Sequence, residues 1–308
     1  MKSSRRTNGN MTAVIIAYFL IYVVWGSTYY FIGVTLKDIP PFLLGALRFS
    51  TAGLILLCLC LLRREAVFTK ELIRRSAISG IVLLFIDMAV IMLAQRYLNS
   101  SFVAIIASST AIWIMVFDIP MWRKNFRSPF TITGILIGFG GVAMLYVEQI
   151  GTRGAFSNSG RGILLLIFGC ISWALGTLYT KYRFPRTKQA YGFAGSAWQM
   201  LFAGTMFWIC SFLNKEISHV CVTDISSTAW FSLSYLILFG SLLAYSAYIW
   251  LLRHRPATEV GTHAYVNPFV AVALGFFPGG EQITILQVSG LLVILFGVML
   301  VSCKRQQK

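Results

Sequence analysis

Residues 41–62 read PFLLGALRFSTAGLILLCLCLL, 22 positions carrying a single charge, Arg48. At 1.5 Å per residue a helix of this length reaches about 33 Å, enough to cross the hydrocarbon core of a bilayer. Nine further apolar runs accompany it, at 12–33, 73–94, 101–121, 130–147, 161–180, 191–212, 228–251, 260–279 and 286–303. Over the 308 residues, hydrophobic types make up 57% and charged types 12%, about half the charge of a soluble domain. The 24 Phe and 8 Trp exceed what one globule of this length can hide. Transmembrane β-strands alternate apolar and polar residues, whereas these runs are continuously apolar. The fold expected is therefore all-α and integral to the membrane, with ten transmembrane helices and no soluble domain between them.

The formal net charge of +16 is sorted by side. If alternate connections lie on opposite faces, 20 of the 26 Lys and Arg share the face of the two termini. Five, Lys37, Arg96, Arg153, Arg161 and Lys215, lie on the other, and Arg48 is inside a span. This is the positive-inside pattern, which puts both termini in the cytoplasm and requires an even number of spans. No basic stripe interleaved with aromatics is present, so nucleic acid is not an expected partner. The stretch from Met11 to about Leu36 is too long for the apolar region of a signal peptide. The six cysteines form neither a disulfide framework nor a metal-ligand spacing, and only Cys221 falls in a loop on the outer side, as a free thiol. No metal and no cofactor are expected.

The chain repeats itself. Trp25 leads into Gly26-Ser27-Thr28-Tyr29, and Trp173 into Ala174-Leu175-Gly176-Thr177-Leu178-Tyr179. Ala52-Gly53 matches Ala203-Gly204, while Gly134 and Gly141-Val142 match Gly290 and Gly297-Val298. The offsets drift from 148 through 151 to 156, as loop insertions would make them. Two copies of five spans follow: a tail at 1–11, a first repeat at 12–147, a second at 161–303 and a tail at 304–308. Because five is odd, the second copy enters the membrane from the opposite side. Inverted repeats of this kind mark secondary transporters, whose substrate site lies between the halves near the midplane.

Trp25-Gly26-Ser27-Thr28, Ile39-Pro40-Pro41, Leu47-Arg48-Phe49, Trp173-Ala174-Leu175-Gly176, Trp198-Gln199-Met200, Ala264-Tyr265-Val266-Asn267-Pro268 and Gly280-Glu281 stand in order along the chain. With these segments it resembles the EamA-type transporters of the drug/metabolite transporter superfamily. The resemblance implies ten helices in two inverted repeats, cytoplasmic termini, and a central cavity lined mainly by spans 1, 3, 4, 6, 8 and 9. It also implies transport, commonly export, of small organic solutes such as amino acids, other metabolites or drugs, and favours a bacterial inner membrane. Two departures stand out: Phe117-Asp118-Ile119-Pro120 occupies the first-half place of Gly280-Glu281, and span 3 carries Asp87 where similar proteins usually show small or apolar residues.

Charge inside a span costs at least about 2.5–3.5 kcal/mol on insertion scales. Arg48 and Asp87 lie at similar depth on neighbouring spans, so an Arg48–Asp87 ion pair is expected. That pair either only neutralises itself, or works: Asp87 as a protonation site, Arg48 as holder of a substrate carboxylate. A third reading has Arg48 snorkel toward the headgroups. Asp118 is expected at the interface, and Glu259 as a cap or a partner of Arg253 or Arg255. His263 is the one histidine within a span, either packing or titrating. Asn267-Pro268 is expected to interrupt span 9, with Pro268 as a hinge, since proline removes a backbone hydrogen bond. Trp25, Tyr29, Trp113, Trp173, Tyr245, Tyr248 and Trp250, with Ser27, Thr28, Ser108, Ser109 and Thr177, are candidates for an amphipathic lining, about half of them facing the cavity. The glycine pairs Gly134/Gly138 and Gly275/Gly279 suit close helix packing.

A secondary transporter is the expectation these features share. Its partners are a small-molecule substrate and the lipid bilayer, with protons through Asp87 and a second copy of the chain as optional ones. An intramembrane enzyme acting on lipid would need a nucleophile–base pair or a metal cluster, and neither HExxH nor GxSxG is present. A sensor or scaffold would carry an output domain, for which the short connections leave no room. No P-loop stands in those connections, which argues against a self-powered pump.

Overall fold

The computed structural model describes residues 3–126, 129–153, 158–184 and 193–303, and among them there is no strand. In chain order the main helices are α1 (Met11–Thr35), α2 (Pro41–Leu62), α3 (Lys70–Ala94), α4 (Ser100–Phe117), α5 (Pro129–Arg153), α6 (Asn158–Arg183), α7 (Phe193–Leu213), α8 (Ser227–His254), α9 (His263–Phe276) and α10 (Ile285–Cys303). Seven of them, α1 to α4 and α6 to α8, contain segments long and apolar enough to cross a membrane. The apolar stretches of α5 and α10, Pro129–Leu145 and Ile285–Gly297, are shorter. The C-terminal tail 304–308 and the basic residues Lys2, Arg127, Arg186 and Lys188 lie outside the described residues.

Helix starts are built from recognisable local chemistry. α2 opens on Pro41, whose missing N–H costs nothing at a first turn. The next amides are taken up from afar, since Leu43 N donates to Glu216 Oε2 at 2.7 Å and Phe42 N to Oε1 at 3.4 Å. At α4, Asn99 accepts from Phe102 N at 3.1 Å. Glu281 adds its carboxylate there, accepting from Ser100 N at 3.0 Å, from Ser101 N at 3.1 Å and from both serine hydroxyls. α8 starts with Ser226 Oγ accepting from Ala229 N at 3.2 Å, while Asp38 Oδ2 accepts from Ser226 N at 2.9 Å. Each of these carboxylates bridges the first half of the chain to the second. Negative charge belongs at a helix N-terminus, where unpaired amides and the dipole both favour it.

Packing follows the small residues. α2 lies along α7, and α5 along α10. A Cβ on Gly45 would land 2.5 Å from the Phe207 ring, and one on Gly297 would meet the Gly134 carbonyl at 2.5 Å. Helix backbones approach this closely only where side chains are absent. In both pairs a helix of the first half meets the helix at the same place in the second.

Two features were not expected from the apolar runs. Three helices carry wide π-type turns, at Leu20–Val24 in α1, Gly80–Ile86 in α3 and Leu236–Tyr245 in α8. Such turns are rare and gather at functional sites. Span 9 is interrupted, but upstream of the expected place. A four-residue turn, Ala257–Val260, is followed by Gly261-Thr262, after which α9 runs unbroken through Pro268 to Phe276. The break is made by tight backbone bonds, Ala264 N to Gly261 O at 3.1 Å and Tyr265 N to Thr262 O at 3.0 Å. α4 has a matching break at Ser108-Ser109.

Candidate functional site

The wide turns position the site. Trp25 directly follows the first, Asp87 directly follows the second, and Gly240, Ser241 and Tyr245 lie within the third. These residues converge on one cavity with about 730 Å³ of space between protein atoms, solvent at its mouth included. Its walls come from α1, α2, α3, α4, α6, α8 and α9. The six spans implied by the family resemblance are all represented, and α2 joins them through Arg48 and Phe49.

One wall is aromatic. Trp25 and Trp173, the matching tryptophans of the two halves, meet edge to face with centroids 5.3 Å apart. Tyr248 backs both, at 5.0 and 5.4 Å, and His263 stands 5.3 Å from Trp25. Hydrogen bonds hold the wall still. Trp25 Nε1 donates to Gly240 O at 3.0 Å, Tyr245 donates to Gln199 Oε1 at 2.8 Å, and the Tyr248 and Thr177 hydroxyls lie 2.5 Å apart. His263 Nδ1 sits 2.9 Å from Val260 O and is the donor of that bond, since a carbonyl only accepts. Asn267, with its amide oriented by its surroundings, donates to the carbonyls of Ile21 at 2.9 Å, Tyr22 at 2.8 Å and His263 at 3.1 Å, tying α9 to α1.

The cavity also holds two charged side chains. Arg48 and Asp87 both line the cavity and both are buried. The expected ion pair between them is not formed. Ion pairs elsewhere in the chain include Arg75–Glu71 and Arg255–Glu259. Arg48 instead donates from Nε to Ser241 Oγ at 2.8 Å and sits 5.0 Å from the centroid of the Phe49 ring. The wide turn Gly80–Ile86 stands directly before Asp87.

Of the other expected site residues, Thr28, Tyr29, Trp173, Tyr245, His263 and Asn267 line the cavity, as does Trp25. Ser27, Thr177 and Trp113 do not. Ser27 bonds Val24 O and the Tyr235 hydroxyl, and Thr177 supports Tyr248 from behind. Trp113 stacks on Phe117 and packs edge-on to Phe139. Pro268 is buried within α9. Glu259 pairs with Arg255 at 3.6 Å, as expected, and also accepts from the Tyr18 hydroxyl at 2.9 Å. Asp118, near the end of α4, is 2% exposed and accepts from the Tyr182 hydroxyl at 2.5 Å. Sequence reasoning missed Gly240, Ser241 and Phe49. Gly240 and Ser241 are small residues in an apolar run, and no pattern distinguishes them there.

The sequence profile described as the EamA-like transporter family matches residues 12–147 and again 160–303. The chain belongs to that family. Among curated relatives, "Uncharacterized inner membrane transporter YedA" of Escherichia coli (strain K12) is 32% identical over 288 residues, covering 93% of this chain and 89% of that protein. An "Uncharacterized transporter" of Archaeoglobus fulgidus is 25% identical over 94% of this chain and 96% of its own. A solved crystal structure superposes with a TM-score of 0.65 at 17% identity, over 96% of this chain and 99% of that one. This EamA-like protein is a membrane transporter, and the cavity between its halves is the candidate place for its solute.

Proposed function

We propose that this EamA-like transporter is a secondary transporter of small organic solutes (amino acids, other metabolites or amphipathic drugs) in a bacterial inner membrane. It works as an exporter by alternating access between two inverted five-helix repeats, 12–147 and 161–303. One observation carries the reading: a single cavity draws its walls from both halves and holds one cation and one carboxylate, not paired with each other, inside an apolar helical bundle. Intramembrane charge of this kind marks solute and proton paths. The pairing of α2 with α7 and of α5 with α10 is what a two-fold relation between the halves requires. α9 and the shorter apolar helices α5 and α10 complete ten spans. The name of YedA supplies the inner membrane, and the charge sorting supplies cytoplasmic termini.

Both ends of the bundle are tied across the halves, with different chemistry. Carboxylates on helix starts hold one end, through Asp38, Glu216 and Glu281. Tyrosine hydroxyls hold the other, through Tyr18 with Glu259, Tyr22 with Thr262 and Tyr182 with Asp118. Alternating access releases one set while keeping the other, with the Gly261-Thr262 break and Pro268 as hinge elements on α9. Asp87 is the proton site of the cycle. Metabolite profiling of the medium tests this: cells expressing the intact chain accumulate particular solutes outside, and cells expressing equal amounts of Asp87→Asn lose the dependence of that export on a pH gradient. Unchanged pH dependence in the variant removes Asp87 from coupling, and no accumulated solute removes export.

A further inference from the structure

We propose that Arg48 forms a carboxylate subsite in the cavity, and that the solute it takes is a monoanion with a planar apolar body. The proposal rests on the transporter reading above and deepens it. Arg48 is 3% exposed and lines the cavity from α2. Its Nε is engaged by Ser241 Oγ at 2.8 Å, while Nη1 is buried with no protein acceptor in reach. A buried guanidinium with an unpartnered nitrogen is expensive in an apolar bundle, and a hydrogen-bonded anion offsets that cost.

The geometry selects the anion. Ser241 occupies the Nε side of the guanidinium, which leaves Nη1 unpartnered at the Nη1–Nη2 end, where two parallel N–H groups match the two oxygens of a carboxylate. Gly240 keeps that end clear. A Cβ there would stand 3.0 Å from Arg48 Nη2 and 3.0 Å from Thr28 Cγ2. One guanidinium sharing its cavity with Asp87 suits a single negative charge better than a phosphate dianion, whose second charge would face that carboxylate. Trp25, Trp173 and Tyr245 form the aromatic wall of the same cavity and accept a flat apolar body.

The full-length chain in nanodiscs is titrated calorimetrically with 3-phenylpropionate and with its neutral match, 3-phenylpropionamide. The acid is expected to bind at least tenfold more tightly than the amide. Arg48→Gln removes the preference and leaves the amide affinity in place, Arg48→Lys recovers part of it as a point charge without the fork, and Gly240→Ala weakens it. Equal binding of acid and amide, or a preference untouched by Arg48→Gln, overturns the subsite and leaves the solute cavity standing. Binding of neither probe overturns both. Should Arg48→Gln not fold, Ser241→Ala supplies the check: it releases Nε but keeps the charge, so the preference for the acid persists, and its loss overturns the assignment.

Discussion

At Asn267 the two N–H groups of one amide are shared among three carbonyls on two helices, those of Ile21 and Tyr22 on α1 and of His263 on α9. Asn267→Ala leaves those bonds unmade in a dry setting, a loss of about 1–3 kcal/mol. The expected outcome is a lower apparent Tm together with reduced transport, since the residue also lines the cavity. A thermal scan beside a transport assay checks it, and an unchanged Tm would remove the stitching role. That Asn267 was special could be read from the sequence, because a polar amide in an apolar run needs a partner. Its two partners on α1 could not be read, because that helix lies more than 200 positions away. The same limit applies to Arg48 and Asp87: their cost was legible, and their separation was not.

Elements in this transporter begin where distant carboxylates meet them. Glu281 accepts four hydrogen bonds at the start of α4, and Gly280 before it has a φ of 63°. Only glycine adopts that conformation cheaply, so Gly280→Ala is expected to cost about 1 kcal/mol through strain alone. Glu281→Ala leaves two backbone amides and two hydroxyls of α4 without their acceptor, and its cost is larger, about 2–3 kcal/mol. Comparing the apparent Tm of the two variants tests the order, and Gly280→Ala being the more harmful would contradict it. The Gly-Glu dipeptide was conspicuous in the sequence, but its target, the Ser100-Ser101 pair, is set by how α9 and α4 lie side by side. The wide turns of α1, α3 and α8 were hidden for a related reason. Apolar runs show where a helix is, and a one-residue widening changes which face later residues present without altering the run.

For the whole molecule, the loops report both stability and orientation. The Ser226 hydroxyl and amide hold the Asp38 carboxyl below the usual carboxylate range. The bond therefore stabilises the fold in full above the ordinary carboxyl pKa, about 4, and its contribution is lost as the pH falls through the lowered value. Apparent Tm followed against pH should show wild type above Asp38→Ala by a constant margin from pH 5 to 8, closing in acid below about pH 4. A margin that widened in acid would contradict the linkage. Cys221, exposed in the α7–α8 loop, has its thiol pKa lowered by Thr223. If the termini are cytoplasmic, as proposed, this loop faces outward, and an impermeant maleimide is expected to label intact cells through Cys221 and to lose that label in Cys221→Ser. Labelling only after lysis would invert the topology.

Composition and the apolar runs alone determined that this chain is an all-helical membrane protein, because no soluble globule can bury so much apolar surface with so little charge. Ordered motifs in both halves led to the EamA-like transporters, because a twofold repeat is written into the order of residues itself. Tertiary structure decided what those motifs build. It brought Trp25 to Trp173, set Arg48 on Ser241 rather than on Asp87, kept Ser27, Thr177 and Trp113 out of the cavity, and moved the break in span 9 to Gly261-Thr262. The physical reason is that insertion into a bilayer depends on the summed hydropathy of a segment, which is local. A binding site depends on helix phase and on partners far along the chain, which only the packed bundle specifies.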